Sequence, residues 1–176
     1  MRIAFGTDEH TPLTEAVVDG LRARGHEVEV VADGDAWPDA GRRVGEAVAS
    51  GRADRGVVCC FTGTGVSMAA NKVPGVRAAL CTDAETARGA RRWNDANVLA
   101  FGLRLTSPVV AEEMLDAFLS TDVDAGERPT IDRLSALDRP GGRGPASAGP
   151  GRPAGTGPLV GAEAAGPGTA GAGGPR

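Results

Sequence analysis

The sequence predicts an α/β domain of three layers, in which a five-stranded parallel sheet lies between helices on both of its faces. Three observations support this prediction. Short apolar runs alternate with longer amphipathic segments along the chain. Several of the short runs are continuously apolar, as in strands that are buried on both faces. The spacing between the runs also leaves room for right-handed helical crossovers.

Five segments have the length and composition of strands. Residues 57–60 and 98–101 are uninterrupted apolar runs, which are typical of central parallel strands because helices cover both of their faces. The predicted strands, in chain order, are residues 2–6, 26–31, 56–60, 77–81 and 97–101.

Helical patterns lie between and after these strands. Leu13, Val17 and Leu21 recur with helical spacing, and Gly25 follows them as a stop signal. Ile131, which begins the last apolar pattern, belongs to a helix too short to be stable alone, so we expect it to dock on the domain. The other predicted helices lie around residues 44–48, after the glycine-rich turn at 62–65, and over 86–93, 109–119 and 131–137.

The C-terminal segment differs in composition from the rest of the chain. Of the 176 residues, positions 139–176 hold 13 of the 27 glycines and 7 of the 12 prolines. Such a segment buries too little apolar surface to fold. The sequence therefore predicts an α/β domain over residues 1–138 and a disordered tail over 139–176.

Charge and apolar patterning exclude several classes of function. The net charge is −4, and the tail carries four arginines against one glutamate, so the predicted domain is more acidic still. Nucleic-acid binding needs the opposite excess of charge. No apolar run approaches the length of a membrane span, and the chain opens on a strand-like segment where a secretory leader would be charged and then apolar. We predict a cytoplasmic protein with neither membrane nor nucleic acid among its partners.

The cysteines do not indicate a metal or a disulfide framework. Cys59 and Cys60 are adjacent, Cys81 is isolated, and none of them forms a CxxC pair. The two histidines, His10 and His26, and the scattered carboxylates form no set with the spacing of metal ligands. The prediction is therefore that the protein uses no cofactor.

Candidate functional residues follow three of the predicted strands. Ligands of open parallel sheets bind beyond the carboxyl ends of the strands, where residues 6–10, residues 60–65 and Leu103-Arg104 lie. The middle segment reads Cys-Phe-Thr-Gly-Thr-Gly, and its glycines allow backbone N–H groups to face a ligand. It lacks the lysine of a Walker loop and the spacing of a dinucleotide fingerprint. By itself it is also compatible with a tight connection of no function.

Two longer motifs carry a resemblance to a known family. From Thr62 the chain reads Thr-Gly-Thr-Gly-Val-Ser-Met-Ala-Ala-Asn-Lys-Val-Pro-Gly-Val-Arg-Ala, and from Trp93 it reads Trp-Asn-Asp-Ala-Asn-Val-Leu-Ala-Phe-Gly-Leu-Arg. Residues 1–138 therefore resemble ribose-5-phosphate isomerase B and the related galactose-6-phosphate isomerase subunits. The resemblance implies a Rossmann-like fold and a metal-independent aldose–ketose isomerase of sugar phosphates. It also implies a homodimer, with a tetramer as the alternative, whose active sites lie at the subunit interface.

The same resemblance suggests roles for individual residues. Cys60 matches the cysteine that acts as the base in one branch of the family, and Val66 stands where the other branch has a glutamate. Asp8 matches the aspartate that orients the sugar hydroxyls. The predicted catalytic residues are Cys60, Thr62 and Asp8, and the predicted substrate-binding residues are Gly63, Thr64, Gly65, Asn94, Arg104, His10, Trp93 and Arg128.

The chemistry expected of these residues is coherent. One base lifts a proton from carbon 2 of an open-chain sugar phosphate and returns it to carbon 1, through a cis-enediol(ate). Backbone amides of residues 62–65 would stabilise the enediolate oxygen. A structural interpretation also exists for each residue: Cys60 as a buried small residue, Asp8 as a cap, Asn94 as a loop former and Arg104 as a surface charge.

Three positions depart from the family pattern. Glu9 replaces the histidine that contacts the phosphate, and His10 follows one residue later. Trp93 replaces the histidine that opens the sugar ring, and an indole cannot shuttle protons. Arg128 and Arg133 represent the C-terminal phosphate-binding pair only in part. We expect an isomerase for a substrate that needs no ring opening, such as a four-carbon sugar phosphate. The alternative is a non-catalytic sugar-phosphate-binding module derived from the same fold.

Overall fold

The computed structural model describes residues 1–138. The tail predicted over 139–176 lies outside the described residues. The elements, in chain order, are β1 (Arg2–Thr7), α1 (Pro12–Ala23), β2 (Glu27–Asp33), α2 (Trp37–Ala49), β3 (Arg55–Cys60), α3 (Thr64–Ala70), β4 (Ala78–Leu80), α4 (Ala84–Asn94), β5 (Val98–Gly102), α5 (Pro108–Ser120) and α6 (Arg128–Ser135), with 3-10 turns at Ala125–Glu127 and Ala136–Asp138.

The predicted α/β fold with a five-stranded parallel sheet is confirmed. All strand pairs are parallel, and the strand order is β2-β1-β3-β5-β4. Each predicted strand is present, with ends that differ by one or two residues. The last helix differs more from its prediction. It begins at Arg128 and ends at Ser135, because Pro129 suits a first helical turn and so allows an earlier start than the apolar pattern indicates.

Two hydrophobic cores flank the sheet. The larger one contains Phe5, Phe101 and Phe118 and lies under α1, α4 and α5. The smaller one consists of alanine, valine and Cys60, and α2 and α3 cover it. Successive strand residues point to opposite faces, so Cys59 belongs to the first core and Cys60 to the second. No helix among residues 1–138 combines the length and the apolar character that a membrane span requires.

The sheet order places the ends of three strands side by side. After β1 the chain turns first to β2 on one side and then to β3 on the other, so the connections diverge between β1 and β3, where open sheets bind ligands. Thr7 pairs with Cys59, and Cys60 pairs with Gly102. The residues that follow β1, β3 and β5 therefore meet at one edge, which we call the carboxyl edge.

The loop after β3 is pressed against the end of β5. Gly63 has φ +77°, a left-handed conformation that favours glycine, and a Cβ atom there would lie 2.6 Å from the carbonyl carbon of Phe101. The N–H groups of Leu103 and Arg104 donate to the carbonyls of Cys60 and Phe61 at 2.9 and 3.0 Å. Backbone contacts thus hold the loop on β5.

We expect Gly63→Ala to destabilise the domain more than Gly51→Ala. Gly51 has a similar φ of +74°, but no heavy atom lies within 4 Å of the place that its Cβ atom would take. Its replacement should cost about 1–2 kcal/mol of unfolding free energy, for the left-handed backbone alone. At Gly63 the clash with β5 should add about 1–3 kcal/mol. Urea denaturation measures both, and equal losses in the two variants would contradict the close contact between loop and strand.

Candidate active site

Cys60 lies at the end of the central strand β3, and its sulfur accepts a hydrogen bond. The N–H of Gly63 donates to Sγ with an N···S distance of 3.2 Å. The residue is 5% exposed and packs in the core beneath α2 and α3. The loop that holds Gly63 in its left-handed conformation also carries the N–H that reaches the sulfur, so the conformation of the loop and the environment of the thiol are linked.

The other two cysteines are in environments that keep them protonated. Burial raises the pKa of Cys59 to about 12, and burial raises the pKa of Cys81 to about 11. Both side chains are enclosed in the larger core. Of the three cysteines in the chain, Cys60 immediately precedes the glycine-rich loop and accepts a backbone N–H from it.

Asp8 follows β1, the neighbour of β3, and carries a buried acceptor. Its Oδ1 is enclosed and has no hydrogen-bond partner among residues 1–138. Burial raises the pKa of Asp8, and its proximity to Glu9 adds to this rise. An unpaired buried acceptor is costly, and a hydroxyl donor from a ligand would satisfy it. The position beside the end of β3 makes Asp8 suitable for holding a hydroxyl close to Cys60.

The loop that follows Cys60 exposes two hydroxyls and several backbone N–H groups. The Oγ1 atoms of Thr62 and Thr64 lie 2.7 Å apart, and both residues are exposed. Thr64 and Gly65 are the first two residues of α3. Their N–H groups have no acceptors within the helix, because no turn precedes them. A Cβ atom at Gly65 would lie 2.9 Å from the ring of Trp37. Trp37 therefore borders the loop. The sequence places it in a connection rich in glycine, aspartate and proline and leaves open whether it caps the core or lines the mouth of the site.

Arg104 lies at the same edge, beyond β5. Its guanidinium sits over the Phe61 ring, 5.6 Å from the ring centroid, which is a cation–π geometry. A cavity of about 140 Å³ opens beside these two residues, and Thr62 also lines it. The structure therefore places most of the predicted site residues at the carboxyl edge. They are Asp8, His10, Cys60, residues 62–65 and Arg104.

His10 is held by two carboxylates. Its Nε2 lies 2.9 Å from Glu15 Oε1, and its Nδ1 lies 3.0 Å from Asp33 Oδ1. Hydrogen bonds to Glu15 and then to Asp33 raise the pKa of His10. Both ring nitrogens are occupied in this arrangement, so phosphate binding by His10 stays a prediction that requires the ring to leave these partners. The sequence did not indicate this pairing, because Asp33 is distant in the chain.

Three other predicted site residues lie at the opposite edge of the sheet, which we call the amino edge. Trp93 and Asn94 are exposed at the end of α4, which runs back along the sheet before β5 begins. Arg128 opens α6, with its Nη1 3.6 Å from Asp95 Oδ2. The length of β5 separates the two edges by roughly 13 Å or more. A single chain therefore does not bring all of the predicted site residues together, and a shared role for the two groups stays a prediction that requires a second copy.

The amino edge has a cavity of its own. A space of about 460 Å³ lies between α6 and the start of β4, and Asn71, Arg77, Asn94 and Leu134 are among its lining residues. Within residues 1–138 no three or more histidine, cysteine, aspartate or glutamate side chains gather in a way that would hold a metal ion. The candidate groups at the two edges are hydroxyls, amides, arginines, the Asp8 carboxylate, the His10 imidazole and one thiol.

Comparison with known proteins identifies the family of this arrangement. A family model described as Ribose/Galactose Isomerase matches residues 3–135. The chain belongs to the ribose/galactose isomerase family. The resemblance seen in the two sequence motifs is therefore confirmed, and with it the prediction of an isomerase of the ribose-5-phosphate isomerase B type.

Relatives within the ribose/galactose isomerase family carry different names. The LacB subunit of galactose-6-phosphate isomerase from Clostridium acetobutylicum is 40% identical over 135 residues, 74% of this chain and 76% of that protein. The D-erythrulose-4-phosphate isomerase of Pectobacterium atrosepticum is 31% identical over 141 residues, covering 76% of this chain and 93% of that protein. The solved ribose-5-phosphate isomerase B of Clostridium thermocellum has a TM-score of 0.72 at 37% identity, with 78% of this chain and 97% of that chain covered.

We expect the pKa values of the two histidines to be shifted in opposite directions from the ordinary value of 6.5. The pKa of His10 is raised by its carboxylate partners, whereas burial lowers the pKa of His26. As the pH rises, His26 should lose its proton first, which an NMR titration of the imidazole resonances would follow. Asp33→Asn should lower the pKa of His10 and leave His26 unchanged. If His10 titrates at or below His26, the carboxylate pairing of His10 is incorrect.

Proposed function

We propose that this member of the family is an aldose–ketose isomerase acting on a small sugar phosphate, with Cys60 as the base. One observation carries the proposal: the Cys60 sulfur lies at the end of the central strand and accepts the N–H of Gly63, and Asp8, which follows the neighbouring strand, carries a buried unpaired oxygen. A proton acceptor, a hydroxyl-binding carboxylate and a loop rich in N–H groups are the parts that an enediolate mechanism needs.

The proposed reaction moves one proton between neighbouring carbons. The Cys60 thiolate takes the proton from carbon 2 of the open-chain aldose, the C–H electrons form the C1–C2 double bond, and the carbonyl oxygen becomes an oxyanion. N–H groups and hydroxyls of residues 62–65 stabilise that oxygen in the cis-enediolate. The carbon 2 hydroxyl passes its proton to the neighbouring oxyanion on carbon 1, which the cis arrangement of the two oxygens allows. The thiol then returns its proton to carbon 1, the carbon 2 oxygen becomes the ketose carbonyl, and the thiolate is regenerated. Asp8 holds the substrate hydroxyls during both steps.

A four-carbon sugar phosphate fits the residues at the amino edge best. Trp93 occupies the position of the family's ring-opening histidine, and its indole cannot transfer a proton to a ring oxygen. Erythrose 4-phosphate cannot close a five-membered ring, because its terminal oxygen carries the phosphate, so it needs no such residue. The relative named D-erythrulose-4-phosphate isomerase supports this choice. The names of the relative LacB and of the solved ribose-5-phosphate isomerase B refer to longer sugar phosphates, which are therefore the alternative substrates to test.

A second copy of the chain completes the proposed site. Asn94, Trp93 and Arg128 lie at the edge opposite to Cys60, so a neighbouring copy in antiparallel orientation would supply them. Several large apolar side chains that such a copy would cover are exposed: Phe61, Met68, Leu80 and Trp93. We therefore include a homodimer with two composite sites in the proposal.

A non-catalytic sugar-phosphate-binding module is the second candidate function. Cys60 is 5% exposed, and none of the four cavities described among residues 1–138 includes it in its lining. Together with the loss of the ring-opening histidine, this burial favours binding without turnover. The two candidates differ in whether a substrate carbon reaches the sulfur.

We expect turnover of erythrose 4-phosphate and erythrulose 4-phosphate to exceed that of ribose 5-phosphate. Aldose–ketose conversion should be followed for all three compounds, with Cys60→Ala and Cys59→Ala compared. Removing the base should lower kcat by about 10²–10⁴-fold, whereas Cys59, on the other face of β3, should tolerate replacement. Full activity of Cys60→Ala would show that another group is the base. Binding without any turnover would favour the second candidate.

We expect activity to return when two inactive variants from opposite edges form mixed dimers. Cys60→Ala and Asn94→Ala each damage both sites of a homodimer, but one site in each mixed dimer keeps both native residues. Random mixing after co-refolding should therefore restore about a quarter of wild-type activity.

The matched control for this experiment uses two variants from the same edge. Cys60→Ala mixed with Asp8→Asn leaves every site damaged, so no activity should return. A failure of the opposite-edge pair to recover, while both variants form dimers, would contradict the composite site.

A further inference from the structure

One aspartate at the amino edge holds three arginines. Asp95 Oδ1 lies 2.8 Å from Arg91 Nη1, and its Oδ2 lies 3.1 Å from Arg77 Nη2 and 3.6 Å from Arg128 Nη1. The side chains of Asp95 and Arg91 are 18% and 4% exposed. We call these four residues the Asp95 cluster. It differs from a surface ion pair because most of it is withdrawn from solvent, where charge pairing is screened less.

The backbone of Asp95 is as constrained as its side chain. It has φ 48° and ψ 42°, which makes it the one non-glycine residue with positive φ within residues 1–138. Its N–H donates to the carbonyl of Arg91 at 3.1 Å, and its own carbonyl accepts from Arg77 Nε at 2.8 Å. A left-handed aspartate persists only where its surroundings over-determine it, and such residues are common at functional sites.

The turn at Asp95 sets the direction of the residues that the composite site requires. Asn94 and Trp93 immediately precede it, at the end of α4. Arg128, on a different helix, reaches the same carboxylate. All three predicted substrate-binding residues of the amino edge are therefore joined to one residue, Arg128 through the carboxylate and the other two through the backbone. Arg77 carries the connection toward the sheet, because its backbone N–H donates to Asn97 Oδ1 at 2.7 Å, just before β5 begins.

The charge of the cluster also matches the proposed substrate. Three arginines around one aspartate leave an excess of positive charge within the Asp95 cluster, although the domain as a whole is acidic. Arg91 is fully engaged inside the protein, since its Nη1 also donates to the carbonyl of Ala96 at 2.6 Å. Arg128 is half exposed and is the member that can turn toward a phosphate.

We infer that Asp95 is a positioning residue for the substrate-binding half of the site at the amino edge. Its carboxylate orients Arg128, and its left-handed turn fixes Asn94 and Trp93, while Asp95 itself touches no substrate. This inference rests on the proposed function, which supplies the substrate that these residues would meet. It predicts that loss of the carboxylate weakens substrate binding more than it slows proton transfer.

The test compares Asp95→Asn with Asp124→Asn in the full chain. Asparagine tolerates the left-handed backbone, so Asp95→Asn removes the charge and keeps the turn. Asp124 is a matched control, because it also lies beside an arginine at the end of α4, with Oδ2 3.9 Å from Arg92 Nε. Two readouts are compared: steady-state kinetics with the best sugar phosphate, and hydrogen exchange of the amides at positions 95–97.

We expect Asp95→Asn to raise KM about ten-fold while kcat changes less than about three-fold. Exchange at positions 95–97 should become at least about five-fold faster, and Asp124→Asn should change neither readout. A loss of thermal stability with unchanged KM would overturn the inference, since it would show a structural role only. If Asp95→Asn does not fold, Arg77→Lys is used, because lysine keeps the charge but cannot contact both the carbonyl and the carboxylate of Asp95. KM must then again rise more than kcat falls, by smaller factors.

The experiment separates this inference from the proposed function. If the wild-type protein turns over no sugar phosphate, the proposed isomerase function fails. The positioning role is then judged from the affinity for erythrose 4-phosphate measured by calorimetry, which Asp95→Asn must lower and Asp124→Asn must not. Equal affinities in the wild type and Asp95→Asn would overturn the inference.

Discussion

The contact between the loop after β3 and the end of β5 is the constraint on which the site depends. Gly63 can enter its left-handed turn only because it lacks a Cβ atom, which would collide with Phe101 and Gly102. The same loop places the Gly63 N–H at the Cys60 sulfur. It also starts α3 at the carboxyl edge. The close backbone contact with β5 therefore fixes the loop that surrounds the thiol.

The parallel topology explains why one chain does not bring its two groups of predicted site residues together. In a sheet whose strands are parallel, each crossover helix returns to the amino edge, so α4 carries Trp93 and Asn94 away from the edge where Cys60 lies. Residues at both edges can contact one small ligand only across an interface between two copies. The exposed apolar side chains at both edges are consistent with such an interface, because single domains seldom expose many of them together.

The fold and the carboxyl edge could be predicted from sequence because they depend on local patterns. Apolar runs indicated the strands, and the glycine-rich segment indicated the turn after β3. The contacts that escaped prediction join residues far apart in sequence: His10 with Asp33, Trp37 with Gly65, and Asp95 with Arg77 and Arg128. A single sequence does not show which arginine meets which aspartate. Asp95 was noticed only as part of a family motif, and nothing in the sequence indicated its left-handed backbone.

The departures from the family leave the proposed proton-transfer centre intact. Trp93 lies along its own helix, since a Cβ atom at Gly89 would be 2.7 Å from its ring. Within one chain the indole therefore stays at the amino edge and leaves the carboxyl edge, where Cys60 and Asp8 lie, unchanged. Ring opening and proton transfer are chemically separate steps, and the residues proposed for them belong to different edges of the sheet. A chain that lost the first step can keep the second, provided that its substrate arrives already open.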